Sequence, residues 1–278
     1  MERKIKDYIV IGLKGMAMGA ADVVPGVSGG TIAFISGIYE ELLSSISNVN
    51  LGLFKTLKNE GLKKAWKQLN GNFLLSLFVG IFISILSLAK AIKYLLENEP
   101  ILLWSFFFGL VLASIIYIAK QITKWSAGSI IVLIFGAFLA YYITTLNPLV
   151  SEGASSLYIL IAGAIAICAM ILPGISGSFI LVLLGAYKPV LEALDNKDIK
   201  TILVFMAGAI VGLLTFSKVL KWLFANYKNY TLAALTGFII GSLNKIWPWK
   251  ETLTWRLNSH GIKVPFNQQS VSPFSFEG

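Results

Sequence analysis

The chain has 278 residues, 56% of them hydrophobic and 13% charged, with a mean hydropathy of +0.76. Soluble domains carry about 25% charged residues, so a water-soluble globule and a disordered chain are both excluded. The single cysteine, Cys168, rules out an internal disulfide, and the single histidine, His260, rules out a histidine-built metal centre. Neither a metal nor a cofactor is implied. The formal charge of +9 reads as a bias that orients loops against an anionic cytoplasmic leaflet, not as a nucleic-acid surface.

Residues 1–24 have the outline of a signal peptide, but Lys14 interrupts the apolar stretch and Asp22 and Pro25 follow it, which reads as a retained membrane segment. Apolar segments fall near 8–24, 29–47, 73–96, 101–119, 127–146, 157–172, 177–191, 201–224 and 230–247. Several approach the roughly 18–20 residues that a helix needs to cross a bilayer. Pro25 and Pro173 each end one segment and open the next. Proline disfavours helix in the residue before it and suits a first turn, so each site predicts a helix stop followed by a helix start, in a re-entrant or a tight spanning hairpin.

Between the first hairpin and the next span, Leu51, Phe54, Leu57, Leu62, Trp66 and Leu69 recur at helical spacing among five lysines. That pattern predicts a helix lying in the headgroup plane, interrupted at Gly61. Placing these lysines and Arg3, Lys4 and Lys6 in the cytoplasm satisfies the positive-inside rule, and leaves the tail with Lys250, Arg256 and Lys263 outside. Trp104–Phe108 and Trp247–Trp249 read as interfacial aromatic belts.

The chain repeats itself. At an offset of 148, Pro25-Gly26-Val27-Ser28-Gly29 falls on Pro173-Gly174-Ile175-Ser176-Gly177, and seven of the fifteen positions from 25 to 39 are identical. Further on the offset becomes 128, matching Gly80, Lys90, Lys93, Asn98 and Gly109 with Gly208, Lys218, Lys221, Asn226 and Gly237. A returning hairpin, two spans and the unmatched helix 127–146 make an odd number of crossings between equivalent points, so the second copy is expected upside down. The predicted architecture is an all-α polytopic membrane protein of two inverted-topology repeats. Each is a Pro-Gly-broken hairpin followed by two transmembrane helices, and one extra helix joins them. Residues 1–249 form a single transmembrane domain: repeat 1 at about 8–119 with the insertion 51–70, linker helix 127–146, and repeat 2 at about 157–247. Residues 250–278 form a tail. Inverted repeats with broken helices meeting at the midplane are a transporter architecture.

The breaks are the candidate site. A helix starting after Pro-Gly presents free N–H groups and the positive end of its dipole, a setting that suits phosphate. The candidate phosphate-binding residues are Gly26, Val27, Ser28, Gly29, Gly30 and Thr31 in one copy, and Gly174, Ile175, Ser176, Gly177 and Ser178 in the other, with Lys14 as counter-charge. Close packing of small residues, and snorkelling of Lys14, are the plainer alternatives. Asp22 has three open roles: pairing with Lys14, carrying a proton, or capping local N–H groups. Glu40 and Glu41 are candidates for coupling or for ordinary interfacial charge. No Gly-Lys-Ser/Thr follows either motif, so no nucleotide loop is present. One tail histidine and few carboxylates argue against an enzyme acting on lipid phosphates.

Lys14-Gly15, the run from Gly19 to Thr31, Gly37 to Glu40, Phe106 to Ser114, and Pro173 to Ser178 together resemble the PopT family of polyprenyl-phosphate translocases. The resemblance covers about residues 8 to 249 and omits the tail. It implies a multi-pass protein of the cytoplasmic membrane that returns undecaprenyl phosphate across the bilayer and breaks no bond. Coupling to a proton or sodium gradient, or passive equilibration, stays open. The alternative from the residues alone is a secondary transporter of a small soluble anion.

Overall fold

A computed structural model describes residues 3–24, 27–146, 155–257 and 263–276. In chain order the described helices are α1 (Ile5–Val23), α2 (Gly29–Ile35), α3 (Tyr39–Ser47), α4 (Leu51–Glu60), α5 (Leu62–Gln68), α6 (Gly71–Asn98), α7 (Pro100–Ala119), α8 (Ala127–Thr145), α9 (Ser156–Ile171), α10 (Gly177–Leu183), α11 (Tyr187–Asp195), α12 (Ile199–Asn226) and α13 (Lys228–Ser242). A 3-10 turn at Leu243–Ile246 leads to an antiparallel hairpin of β1 (Lys250–Leu257) and β2 (Lys263–Ser270). Helices α6, α7, α8 and α12 are long and apolar enough to cross a membrane.

The duplicated sequence folds into duplicated elements. α2 and α10 have seven residues each, α3 and α11 nine each, and α6 and α12 twenty-eight each. The apolar segments 29–47 and 177–191 are not single helices, because each breaks at a glycine. Gly37 (φ +75°) and Gly185 (φ +69°) adopt the left-handed conformation. Ile38 N–H then bonds the Ala33 carbonyl and Ala186 N–H the Leu181 carbonyl, the same closure in both copies. A seven-residue helix is about 10 Å long, too short to cross alone, and α10 and α11 meet at a bend of 106°, as in a broken span or a re-entrant loop.

Each half is held by a glycine seam. A Cβ on Gly80 would strike the Gly12 backbone, and one on Gly208 would strike the Leu160 backbone, so α1 and α6, and α9 and α12, approach to backbone contact. The halves then diverge. α3 packs along α12 of the other half, and no comparable packing joins α11 to α6 among the described residues. Phe34, Tyr39 and Phe224 meet edge-on at centroid distances of 5.1–6.5 Å, fixing that seam.

The insertion divides into α4 and α5 at Gly61 (φ +85°), with Leu51, Phe54, Leu57, Leu62 and Trp66 exposed. The membrane portion is helical as expected, and the tail adds a strand pair to it. Thr252, Thr254 and Trp255 favour strand, and the hairpin is tied to the 3-10 turn by Trp247 Nε1–H to the Val271 carbonyl (2.9 Å) and Val271 N–H to the Trp249 carbonyl (3.0 Å).

Candidate functional site

α9 stops at Pro173, which removes the usual partners of the Met170 and Ile171 carbonyls. Residues of the first hairpin replace them. Ser28 Oγ donates to the Met170 carbonyl (3.3 Å) and Tyr39 Oη to the Ile171 carbonyl (3.0 Å), while Thr31 Oγ1 accepts the Gly174 N–H (2.9 Å). Gly30 is required here, because a Cβ would lie 2.9 Å from the Ile171 oxygen. The two breaks therefore meet through hydrogen bonds between residues far apart in the chain. Gly26, with Pro25, lies outside the described residues.

Their electrostatics differ. At the first break Gly29 N–H donates to Asp22 Oδ1 (2.6 Å), Gly30 N–H to Ser28 Oγ (3.1 Å), Thr31 N–H to the Ser28 carbonyl (2.9 Å) and Val27 N–H to the Val24 carbonyl (3.1 Å). The start of α2 is thus occupied by the protein's own acceptors, and of the three roles open to Asp22 the structure shows capping. At the second break Met170 holds the place of Asp22. The backbone N–H groups of Ser176, Gly177, Ser178 and Phe179 have no acceptor among the described residues, and the Ser176 and Ser178 hydroxyls lie 2.8 Å apart with Ser178 exposed. Gly174 (φ +90°) packs on Ser242 and Phe238, and Ile175 is buried.

The other sequence candidates lie elsewhere. Lys14 donates to the Ser36 carbonyl (2.7 Å) at the carboxyl end of α2, where a cation complements the helix dipole, and so is not brought to either helix start. Glu41 takes both guanidinium nitrogens of Arg3 at 2.6 Å, and Glu40 pairs with Lys228 at 2.8 Å. Among the described residues no three metal-ligating side chains converge.

Two residues near the second break escaped sequence reasoning. The Lys245 ammonium lies 4.4 Å from the ring centroid of Phe179, the neighbour of Ser178, and Lys250 lies 5.3 Å from that of Trp104. Their sequence signal was the Trp247–Trp249 cluster between them, read as an interfacial belt.

A multi-pass chain whose broken helices meet at a polar junction is a membrane transporter by class. The chain belongs to the VCA0040-like family, described as undecaprenyl phosphate translocase-like, whose model matches residues 18–264. It is 54% identical over 277 residues, all of this chain and 90% of the relative, to a polyprenyl-phosphate transporter of Vibrio cholerae serotype O1. It is 32% identical over 253 residues, 85% of each chain, to a polyprenyl-phosphate transporter of Staphylococcus aureus. No solved structure gives a significant match. The similarity seen in the Pro-Gly motifs holds, and it extends beyond Trp249 into the tail. The protein is a multi-pass protein of the cell membrane.

Proposed function

We propose that this chain carries a polyprenyl monophosphate, undecaprenyl phosphate above all, between the leaflets of the cell membrane by alternating access, without breaking a bond. The observation that carries the reading is the asymmetric junction. Thr31 and Ser28 of one half lock the break of the other, while the donors from Ser176 to Phe179 are left for an anion. Burying a phosphate without replacing its water is very unfavourable, and these N–H groups and the Ser176 and Ser178 hydroxyls are the replacement. The isoprenoid chain stays in lipid.

The halves are taken as inverted repeats. Inversion makes α3 against α12 and α11 against α6 the two equivalent gates. The packing of the first and the separation of the second support a state closed on the α3 side and open on the α11 side. Rocking of the halves exchanges the two. Glu40 and Glu41 are engaged in ion pairs, so Asp22, exposed beside the junction, is the carboxylate left for ion coupling.

Reconstituted protein should move undecaprenyl phosphate across a vesicle bilayer. Replacing Ser176 and Ser178 together by alanine should slow this at least roughly tenfold, the scale of lost hydrogen bonds to a charged group. Normal transport in that folded variant rejects the site. Uptake of inorganic phosphate in place of lipid points to the small-anion transporter, and release of phosphate from the lipid to an enzyme. Equal rates with and without a pH step remove proton coupling.

A further inference from the structure

Most cations around the two hairpins are already engaged. Arg3 pairs with Glu41, Lys228 with Glu40, Lys14 with the Ser36 carbonyl, and Lys221 with Ser47 Oγ at 3.1 Å. Lys245 and Lys250 differ. Both are partly buried, and neither lies within ion-pair distance of a carboxylate among the described residues.

Their surroundings are aromatic and local. The Lys245 ammonium covers the Phe179 ring, and Lys250 Nζ donates to the Lys245 carbonyl at 2.5 Å while facing Trp104. Trp247 stands between them in sequence, edge-on to Phe108 at 5.2 Å and to Trp249 at 5.3 Å. Trp104 and Phe108 are one turn apart on α7, so the segment from 243 to 250 lies along the second and third turns of that helix. Burial and the neighbouring charge of Lys245 push the Lys250 ammonium down to about 8. Two like charges near enough for one to lower the other, both half-withdrawn from water beside aromatic rings, have no carboxylate partner among the described residues.

We propose that Lys245 and Lys250 receive the phosphate of a lipid monophosphate as it enters from the face bearing the α6–α7 turn, with the adjoining isoprene units lying against Trp104, Phe108 and Trp247. The assignment rests on the reading that the chain moves polyprenyl phosphate, and deepens it by naming where the headgroup is first held. A phosphate monoester carries about −1.5 to −2 charges near neutral pH, matching two ammonium groups, whereas a bulk phosphodiester lipid carries one. Phe179 links this pair to the second break, so the headgroup passes from Lys245 to the Ser176–Ser178 donors.

The test labels lysines of the wild-type protein, in nanodiscs of neutral lipid, with an amine-acetylating reagent, and reads each site by mass spectrometry. Undecaprenyl phosphate should protect Lys245 and Lys250, and undecaprenol, inorganic phosphate and phosphatidylglycerol at equal concentration should not. Equal labelling with and without undecaprenyl phosphate overturns the proposal, and protection by inorganic phosphate or phosphatidylglycerol overturns its lipid-monoester identity. In parallel, the double variant K245Q/K250Q should bind undecaprenyl phosphate roughly a hundredfold more weakly, on the order of tenfold per charge-assisted hydrogen bond, and K245R/K250R should restore most of that loss. Wild-type protein that neither binds nor moves the lipid defeats the transport reading and this one together. Wild-type transport with unprotected lysines and normal binding by the glutamine pair defeats this one alone.

Discussion

At the first break Asp22 accepts the Gly29 N–H at 2.6 Å, and at the second Met170 occupies the corresponding place ahead of Gly177 and offers no acceptor. The contrast extends outward. Tyr39 is 2% exposed and bonded to the other half, while its counterpart Tyr187 is 38% exposed. Phe34, Tyr39 and Leu43 sit in the main core, whereas α10 contributes one buried hydrophobic side chain, Ile180, to a small separate cluster. A duplicated scaffold has thus acquired one hairpin that completes the packing and one that keeps its polar groups available. A single side chain, carboxylate or thioether, marks the difference.

That difference is open to direct attack. Met170→Asp should give the second break the internal anion that the first already has. The Met170 Cβ lies 3.1 Å from the position a Gly177 Cβ would take, so the new carboxylate falls within reach of the free N–H groups. It should then exclude phosphate by occupancy and like charge, lowering transport by about a hundredfold or more. The measurement is lipid movement in vesicles, with the elution profile of the purified variant as the check on folding. Retained transport means that the second break is not where phosphate sits.

The second test addresses what the halves share. Gly80→Ala and Gly208→Ala place a methyl against the Gly12 and Leu160 backbones respectively, at equivalent points of the two seams. Forcing packed backbones apart costs roughly 1–3 kcal/mol or more, so both variants should lower the unfolding midpoint in detergent, and by similar amounts. A large drop in one alone would show that the seams are equivalent in geometry but not in energetic weight.

Much of this comparison was readable from the sequence. The lengths of α6, α7, α8 and α12 follow from long, mostly apolar runs, and the repeated Pro-Gly-hydrophobic-Ser-Gly block marks both breaks. The kinks at Gly37 and Gly185 were harder to see, because glycine in an apolar run fits close helix packing as well as a left-handed turn. The fold, more than spacing, decides where Lys14 sits. One mid-segment lysine implies a partner, but only the path of the chain brings the end of α2, not its start, to that lysine. Lys245 and Lys250 look like ordinary basic residues after a span, and their isolation from carboxylates appears only when Phe179 and Trp104 are folded against them. The tail hairpin was missed because no apolar period announced it.

Lys250 supplies a third test, one of pH. Its folded-state value of about 8 lies below the 10.5 of a free lysine, so between those values the unfolded chain binds the extra proton and stability rises with pH. Below about 8 the folded protein bears the full cost of the charged group, up to about 3 kcal/mol. Lys250→Met should therefore raise the unfolding midpoint at pH 7 in the absence of lipid phosphate, and the gain should vanish above pH 10.5. Saturating undecaprenyl phosphate should reverse the order, because only the wild type gains a partner for its charge. A gain unchanged from pH 7 to 11 would assign the effect to packing of the methionine.

The smallest effect separates the two properties of Asp22. Asparagine keeps an oxygen for the Gly29 N–H and loses the charge, while alanine loses both. Removing a helix cap costs about 0.5–2 kcal/mol, so Asp22→Ala should lower stability by that amount and Asp22→Asn by much less. If capping is the whole role, Asp22→Asn transports normally and responds to a pH step as the wild type does. If Asp22 also carries a proton, the asparagine variant stays folded but its rate no longer changes with the step. A first break that needs only an acceptor and a second that needs none of its own would then be two settings of the same turn, one closed by the protein and one left for the cargo.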